Sequence, residues 1–509
     1  MKKDTSITNK HPVWQIYFVA SLFAYIAIHF CLRLVLSDTL ELDEAAQLVI
    51  AQSFEWGYDT QPPLFTWLQL AVFKLFGISI FSLALLKFLL LAATYYFVYQ
   101  CALFLIHDHR LALLSAFTLL LLPSIAWESL RDLTHSVLVT SMSAMTFYCV
   151  FRLIERGQTR YYVFLGLAVA LGVLSKYSFA IVVMGLMFAA LSSKTTRRLM
   201  ADKRIVITVV ISLAVLFPHV IWVKEHWQMI AGFVSDQAKL GFTENYLDST
   251  VNGMGDLIVN VTAFLTPFWL VSILIFYQAI FARGAEKAQK SMMYILLKRY
   301  FIGILIILIA MIVIAGSTRF QERWFQPILI MLPVYFFYRV AGTEHKPGRL
   351  KIYASVLVLF AIVVILGRVA QIYMAPEFER YTRLHLPSRA LAKQIESLGF
   401  NNGTIIAGDS LTGGNLKLYF PESRMISVTT EVYFPPAKTD GGQCLLVWDA
   451  TEQTEMPLVL ERYLQRISLS TAAPDKHFIE APLYLSDNHN QRLGLILLID
   501  KQIANRCHV

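Results

Sequence analysis

The chain has 509 residues, of which 56% are hydrophobic and only 16% are charged, and its mean hydropathy is +0.56. A soluble protein carries about a quarter charged residues, so these values exclude an ordinary soluble enzyme and indicate many membrane spans. The net charge of +9 does not indicate nucleic-acid binding, because the Lys and Arg residues lie in short groups between apolar runs, where the positive-inside rule places them.

The apolar runs predict about eleven membrane-spanning helices in a polytopic α-helical protein. The first run, 12–36, follows three lysines among the first ten residues, which places the N-terminus in the cytoplasm. Basic segments flank both ends of the run 161–192, so it must cross twice, with its break at Lys176. The remaining predicted spans are 79–105, 111–127, 133–151, 205–223, 258–281, 300–316, 324–340 and 352–373.

The last part of the chain, 374–509, is more polar and lies on the outer side by this count. Its alternation of strand-like and helix-like runs predicts a small periplasmic α/β domain after a transmembrane domain at 1–373 in a bacterial inner membrane. Cys444 and Cys507 can pair if this region faces an oxidising compartment. The strand-like runs are 403–408, 444–448 and 493–499, and the helix-like runs are 388–399 and 456–465.

Adjacent carboxylates follow the first span, at Asp43 and Glu44 in the predicted outer loop 37–63. Charged groups at a membrane boundary are costly to desolvate, which favours a functional role over an ordinary interfacial loop. The apolar residues around them predict a helix lying on the membrane surface.

Several segments resemble GT-C glycosyltransferases, and more narrowly the bacterial branch related to protein O-mannosyltransferases and the lipid A aminoarabinose transferase (glycosyltransferase 39/83-like). LDEAAQL at 42–48 and GYDTQPPLFTWL at 57–68 resemble the first outer loop of that group. The further matching segments, in the same order along the chain, are LSKY at 174–177, PHVIW at 218–222 and RWFQP at 323–327.

The resemblance implies an inverting transferase that moves a sugar from a polyprenyl phosphate to a cell-envelope acceptor: lipopolysaccharide or lipid A, another glycan, or a protein. Asp43 matches the first-loop catalytic acid of the group, and we assign it the role of general base. Glu44 is expected to orient Asp43 or to hold the acceptor. Besides donor and acceptor, the expected partners are membrane lipids.

Cations are needed to stabilise the charge that gathers on the leaving phosphate. Lys176, Arg323 and Arg131 are predicted on the same side as Asp43, with interfacial snorkelling as the alternative for each. Further substrate-binding candidates are Asp132 and His135, which share a helical face with Arg131, together with Tyr177 and Gln61.

A metal site is left open rather than assigned. Some members of the group place an acid or histidine directly before the proline pair, where this chain has Gln61. Asp59 is displaced by two residues, and His219 is the weak candidate for its partner.

Two other classes of function remain at this point: a transporter or flippase of lipid-linked sugars, and a non-catalytic membrane scaffold. A transporter is expected to show paired broken helices in two related halves, whereas this chain concentrates its polar residues on one side. The sugar and the acceptor are not determined. Lys239, Arg319 and Arg323 would suit an anionic acceptor or a uronic-acid donor.

Overall fold

The computed structural model describes most of the chain. Three features used in the sequence analysis lie outside the described residues. They are the three lysines that place the N-terminus in the cytoplasm, the basic residues of 282–290 and the end of the predicted strand 493–499. The described residues are 11–241, 245–281, 291–343, 346–430, 432–437, 442–467, 476–498 and 507.

Within these residues the chain forms 21 α-helices. They are α1 His11–Leu36, α2 Leu42–Ile50, α3 Leu64–Phe76, α4 Ile80–Ile106, α5 His109–Phe117, α6 Ser129–Arg131, α7 His135–Arg156, α8 Thr159–Ser175, α9 Phe179–Leu191, α10 Lys194–Ala201, α11 Ile205–Glu225, α12 Trp227–Ala238, α13 Tyr246–Leu265, α14 Phe268–Phe281, α15 Met292–Val313, α16 Glu322–Leu329, α17 Leu332–Ala341, α18 Pro347–Tyr373, α19 Ser388–Ser397, α20 Ser410–Tyr419 and α21 Leu458–Arg466.

Six of the described helices are long and apolar enough to cross a membrane, and three bent pairs raise that number to nine. The predicted pair of short crossings corresponds to α8 and α9, which are apolar helices of 17 and 13 residues and are not among these nine. Proline lies at or near each bend, where its missing N–H interrupts the helical hydrogen bonds. The bends fall near Pro123 (78°), Pro267 (71°) and Pro333 (50°).

The predicted break at Lys176 is confirmed. Helix α8 ends at Ser175, and Lys176 has an extended backbone (φ −165°, ψ 137°) before α9 begins at Phe179. The Phe179 ring folds back onto Gly172, in space that a Cβ at that position would fill. Glycine is therefore required for the two short helices to meet this closely.

The described residues divide into two compact units. The first contains residues up to Ile28, Thr60–Leu64 and Lys87–Val364. The second contains His29–Asp59, Phe65–Leu86 and the chain from Ile365 onward. Composition alone placed a boundary at 373/374, whereas the contacts group most of the first outer loop with the C-terminal region.

A five-stranded sheet forms the centre of the second unit, as the α/β prediction requires. Strand β1 pairs in parallel with β2 and β3, and β5 pairs antiparallel with β3 and β4, which gives the order β2-β1-β3-β5-β4. The predicted runs correspond to β1, β3 and β5, while β2 and β4 were not predicted. The strands are β1 Gly403–Ala407, β2 Arg424–Ser427, β3 Gln443–Asp449, β4 His477–Pro482 and β5 Asn490–Leu498.

Helices cover both faces of this sheet. One face packs against α19 and α20, and its core also takes in Val49, Ile50 and Tyr58 from the outer loop. The other face packs against α21, and the predicted pairing of Cys444 with Cys507 is present there as a disulfide. The outer loop is thus part of the hydrophobic core of the C-terminal region.

Helix α2 lies directly on α20. A Cβ at Gly414 in α20 would overlap the backbone carbonyl of Ala45 in α2, so only glycine permits this approach. At the next residue, the Asn415 side-chain carbonyl accepts a 2.9 Å hydrogen bond from the backbone N–H of Leu40. These contacts fix the position of α2 on the C-terminal region.

We predict that Gly414→Ala lowers the free energy of unfolding by about 1–3 kcal/mol, because the added methyl group must displace α2 or α20. The measurement is the thermal unfolding temperature of the purified protein in detergent. Gly255→Ala is the matched control, since a Cβ there meets no atom within 4 Å. Equal unfolding temperatures for the two variants would show that α2 does not rest on Gly414.

Candidate active site

Three acidic residues at the start of α2 have different surroundings. Glu41, which precedes the helix, and Glu44 in its first turn are both 1% exposed. Asp43, between them, is half-buried. Of these three carboxylates, only that of Asp43 is accessible to a substrate in solution or at the membrane surface.

Glu44 forms a buried ion pair with Arg33, near the end of α1. Arg33 Nη2 donates to Glu44 Oε2 at 2.6 Å and Arg33 Nε donates to Oε1 at 3.2 Å, a bidentate geometry. The remaining Arg33 donors bond to the carbonyls of Ser37 and Thr39. The Glu44 carboxylate is thus enclosed by Arg33, a geometry that fits the expected orienting role and not that of holding an acceptor.

The C-terminal region holds the same segment from the other side, within the second unit. The guanidinium of Arg383 lies 3.5 Å from the Glu41 carboxylate, and the Arg383 carbonyl accepts from Thr39 Oγ1 at 3.2 Å. Tyr419 donates its hydroxyl to the carbonyl of Asp38 at 2.9 Å. Sequence reasoning missed these contacts, because the partners are more than 300 residues apart and no local pattern joins them.

The rest of the outer loop is folded around Tyr58. Its hydroxyl donates to the carbonyl of Ser53 at 2.9 Å, and burial raises the pKa of this phenol above its ordinary value. Asp59, the weak metal candidate, follows as a half-buried residue of the second unit. Gln61 belongs to the first unit, and its buried Oε1 accepts no hydrogen bond from any described residue. That oxygen is a suitable acceptor for a ligand hydroxyl.

Gln326, in the RWFQP segment, organises the polar part of the first unit. It is fully buried, and its Nε2 donates to the carbonyl and the hydroxyl of Ser124, both at 2.7 Å. Its Oε1 accepts from Thr140 Oγ1 at 3.2 Å. Gln326 thereby links α16, which carries Arg323, to the segment that leads into α6 and Arg131. The sequence did not single out this residue.

Arg131 forms an ion pair with Glu128. Arg131 Nη2 donates to Glu128 Oε2 at 2.9 Å, and both side chains are partly exposed. Lys87 in α4, which is 1% exposed, donates its Nζ to the Arg131 carbonyl at 3.2 Å. Lys87 was also missed, although one lysine within a 27-residue apolar helix is a signal in itself.

The α8–α9 break contacts the start of α7. Lys176 Nζ donates to Ser136 Oγ at 2.8 Å, and His135 Nδ1 lies 3.3 Å from the Ser175 carbonyl. Asp132, just before this start, is 8% exposed. Lys176 itself is half-buried, so its ammonium group is fixed in place without being enclosed.

Arg323 is half-buried at the first turn of α16, where its Nε donates to Gln321 Oε1 at 2.6 Å. This hydrogen bond uses one of its five donors and holds the planar guanidinium in one orientation. A fixed guanidinium with remaining N–H groups is suited to a phosphate oxygen.

His219 and Tyr177 form an aromatic pair. The Tyr177 hydroxyl lies 3.3 Å from His219 Nε2, and the two rings are stacked with their centroids 6.1 Å apart. His219 is 3% exposed. No three His, Cys, Asp or Glu side chains within the described ranges lie close enough to share a metal ion, so we derive no catalytic step from a metal.

The candidates thus fall into two sets. Asp43, Glu44 and Asp59 belong to the second unit. The set in the first unit comprises the cations and the polar residues: Gln61, Arg131, Asp132, His135, Lys176, Tyr177, His219 and Arg323.

The chain is similar to several known glycosyltransferases. A family model described as dolichyl-phosphate-mannose-protein mannosyltransferase matches residues 60–222. The lipopolysaccharide core galacturonosyltransferase RgtB of Rhizobium johnstonii is 29% identical over 487 residues, which cover 94% of this chain and 96% of that protein. RgtA of the same organism, also a lipopolysaccharide core galacturonosyltransferase, is 28% identical over 435 residues, covering 84% of this chain and 85% of its own.

Among solved structures, ArnT from Cupriavidus metallidurans bound to undecaprenyl phosphate has a TM-score of 0.58 at 14% identity, covering 94% of this chain and 98% of that one. This likeness confirms the predicted GT-C fold. With the matches above, it identifies the chain as a multi-pass membrane glycosyltransferase of the GT-C type. The expectation of a transferase is confirmed over the transporter and scaffold alternatives.

We predict that Glu44→Gln lowers the free energy of unfolding by about 3–5 kcal/mol, because it leaves the buried Arg33 charge without its counterion. Replacing both residues by Met should recover most of this loss, since an apolar pair needs no desolvation of charge. Thermal unfolding in detergent measures both effects, with the exposed Glu396→Gln as control. A Glu44→Gln variant as stable as Glu396→Gln would contradict the positioning role.

Proposed function

We propose that this enzyme transfers a galacturonosyl group from a polyprenyl phosphate to a sugar hydroxyl of the lipopolysaccharide core, on the periplasmic face of the inner membrane. The observation that carries the proposal is the match to two lipopolysaccharide core galacturonosyltransferases over most of both chains. The accessible carboxylate of Asp43 supports it, because glycosyl transfer to a hydroxyl needs a base.

In the proposed reaction, Asp43 accepts the proton of the acceptor hydroxyl as its oxygen attacks the anomeric carbon of the donor sugar. The new bond forms on the face opposite the phosphate, so the anomeric configuration inverts. The bond between the anomeric carbon and the phosphate oxygen breaks, and its electron pair stays on that oxygen. The products are the glycosylated acceptor, polyprenyl phosphate and a protonated Asp43, which returns its proton to water.

Polyprenyl phosphate gains negative charge as it leaves, and we assign its stabilisation to Lys176, Arg131 and Arg323. Preorganised cations stabilise such developing charge because they need no reorientation during the reaction. Each of the three is held by a hydrogen bond to a neighbouring protein atom. Arginine can bind two phosphate oxygens at once, whereas lysine acts as a point charge.

A uronic-acid donor is supported by exposed cations in the first unit. Lys239 and Arg319 lie on two loops joined by hydrogen bonds: Arg319 N–H donates to the carbonyl of Ala238, and Gly241 N–H to that of Ala315. Both side chains are exposed. Exposed cations on two such joined loops suit the carboxylate of a uronic acid, in the donor or in the acceptor.

The periplasmic placement is supported by the disulfide between Cys444 and Cys507, since disulfides persist in the periplasm and are rare in the cytosol. The basic connection at 194–204 fits the opposite, cytoplasmic side. We therefore place the N-terminus in the cytoplasm and the C-terminal region in the periplasm.

Mass spectrometry of lipopolysaccharide cores from a deletion strain tests the proposal. We expect the loss of one or more hexuronic acid residues, restored by the wild-type gene but not by Asp43→Asn, because the amide cannot accept the proton. Asp487→Asn, an exposed aspartate in a C-terminal loop, is the matched control and should restore the wild-type mass.

Expression of each variant is checked by immunoblot of the membranes. A core of unchanged mass in the deletion strain would contradict the proposed acceptor, and full restoration by Asp43→Asn would contradict the base.

A further inference from the structure

The second unit contains a cavity of about 450 Å³ outside the carboxyl ends of its parallel strands. Asp409, just after β1, and Asp449, the last residue of β3, both line it. From β1 the chain continues through α20 to β2, and from β3 it continues through α21 to β4. Strands β2 and β4 are at opposite edges of the sheet. Ligands of open α/β sheets bind at this type of crevice, where the strand order reverses.

The lining combines aliphatic side chains with hydrogen-bonding groups. Six leucines provide apolar walls, and the volume lies within the range of about 300–1,000 Å³ found for small-molecule sites. The hydrogen-bonding side chains are those of Tyr381, Thr382, Arg383, Ser388, Asp409, Thr412, Asn415, Asp449 and Gln491.

Two polar side chains in this lining belong to largely buried residues. Gln491 in β5 is 8% exposed and Ser388 at the start of α19 is 5% exposed. Neither side chain makes a hydrogen bond to any residue that the structure describes. Their polar atoms are not sealed from solvent. Since both line the same cavity, a ligand there can bond to them in place of water.

The fixed charges of the cavity select the chemistry of that ligand. The two Asp409 carboxylate oxygens accept from the Thr412 N–H and hydroxyl, both at 2.8 Å, which holds this anion in place. Asp449 accepts from the Thr451 N–H at 2.9 Å. The one cation of the lining, Arg383, is already paired with Glu41. This balance disfavours a phosphate or a uronate and favours a neutral ligand with many O–H donors.

The cavity wall is also bonded to the segment that leads to Asp43. Asn415 accepts from the Leu40 N–H, three residues before Asp43, and Arg383 pairs with Glu41, two residues before it. A ligand in the cavity therefore contacts side chains that hold the N-terminus of α2. This connection suits an acceptor subsite better than a site unrelated to transfer.

We propose that this cavity binds one or two neutral sugar residues of the acceptor glycan, with Gln491 and Ser388 as ligand-binding residues. The role in transfer rests on the proposed function, in which the acceptor is a glycan. Occupation of the cavity contributes to acceptor affinity, while the bond-forming step remains that of Asp43.

The test uses the full-length protein in lipid nanodiscs and, as probe, core oligosaccharide released from lipopolysaccharide by mild acid, which carries no lipid A. Titration calorimetry measures its binding to the wild type, Gln491→Leu, Ser388→Ala and the control Gln465→Leu, an exposed glutamine of α21. We expect Gln491→Leu to weaken binding at least about tenfold and Ser388→Ala to weaken it less, in line with lost hydrogen bonds to a ligand. Gln465→Leu should bind as the wild type does.

Two further readouts separate binding from folding and from catalysis. The thermal unfolding temperature of Gln491→Leu should not fall, because the lost amide has no protein partner. In transfer assays, the KM for the oligosaccharide should rise with kcat nearly unchanged.

Binding that depends on Gln491 supports the cavity proposal, whether or not the oligosaccharide receives a sugar. Binding without transfer would contradict only the proposed function. Equal binding by the wild type and Gln491→Leu, or no binding by the wild type, would overturn the cavity proposal. If transfer to the oligosaccharide continued in that case, the proposed function would stand.

Discussion

The second unit depends on the buried ion pair between Arg33 and Glu44. Two charges removed from water stabilise a fold only when their remaining hydrogen-bonding groups are also satisfied. Arg33 meets this condition through the carbonyls of Ser37 and Thr39, so one side chain joins the end of α1, the following turn and the start of α2. The pair thereby decides which acid of α2 is enclosed and leaves Asp43 accessible.

In the first unit, a neutral side chain rather than an ion pair joins neighbouring elements. The buried amide of Gln326 is hydrogen-bonded to Ser124 and Thr140, so the elements that carry Arg131 and Arg323 have fixed positions. In each unit the enclosed group named here, Glu44 or Gln326, has protein partners, and the groups assigned to chemistry are only half-buried. Such a division is typical of a preorganised site, in which supporting residues hold the reacting groups in position.

The sequence predicted features that depend on residues close together in the chain, and it did not predict features that depend on residues far apart in it. The break at Lys176, the helix that carries Asp43 and the strands β1, β3 and β5 follow from local patterns of charge and hydrophobicity, and the structure has them. The four-residue β2 and the mostly exposed β4 carry too weak a pattern to predict. The roles of Glu44 and Gln326 depend on partners brought close only by the fold, so a single sequence does not reveal them.

The central claim is that Asp43 acts on the acceptor proton while Lys176 acts on the leaving phosphate. The most direct test measures, for the purified protein, the transfer rate at saturating donor and acceptor together with the Kd for free polyprenyl phosphate. For Asp43→Asn we predict a rate lower by about 10²–10⁴-fold with an unchanged Kd, whereas Lys176→Met should raise the Kd. An Asp43→Asn enzyme that retained the wild-type rate, or that lost phosphate binding in proportion to its rate, would contradict this account.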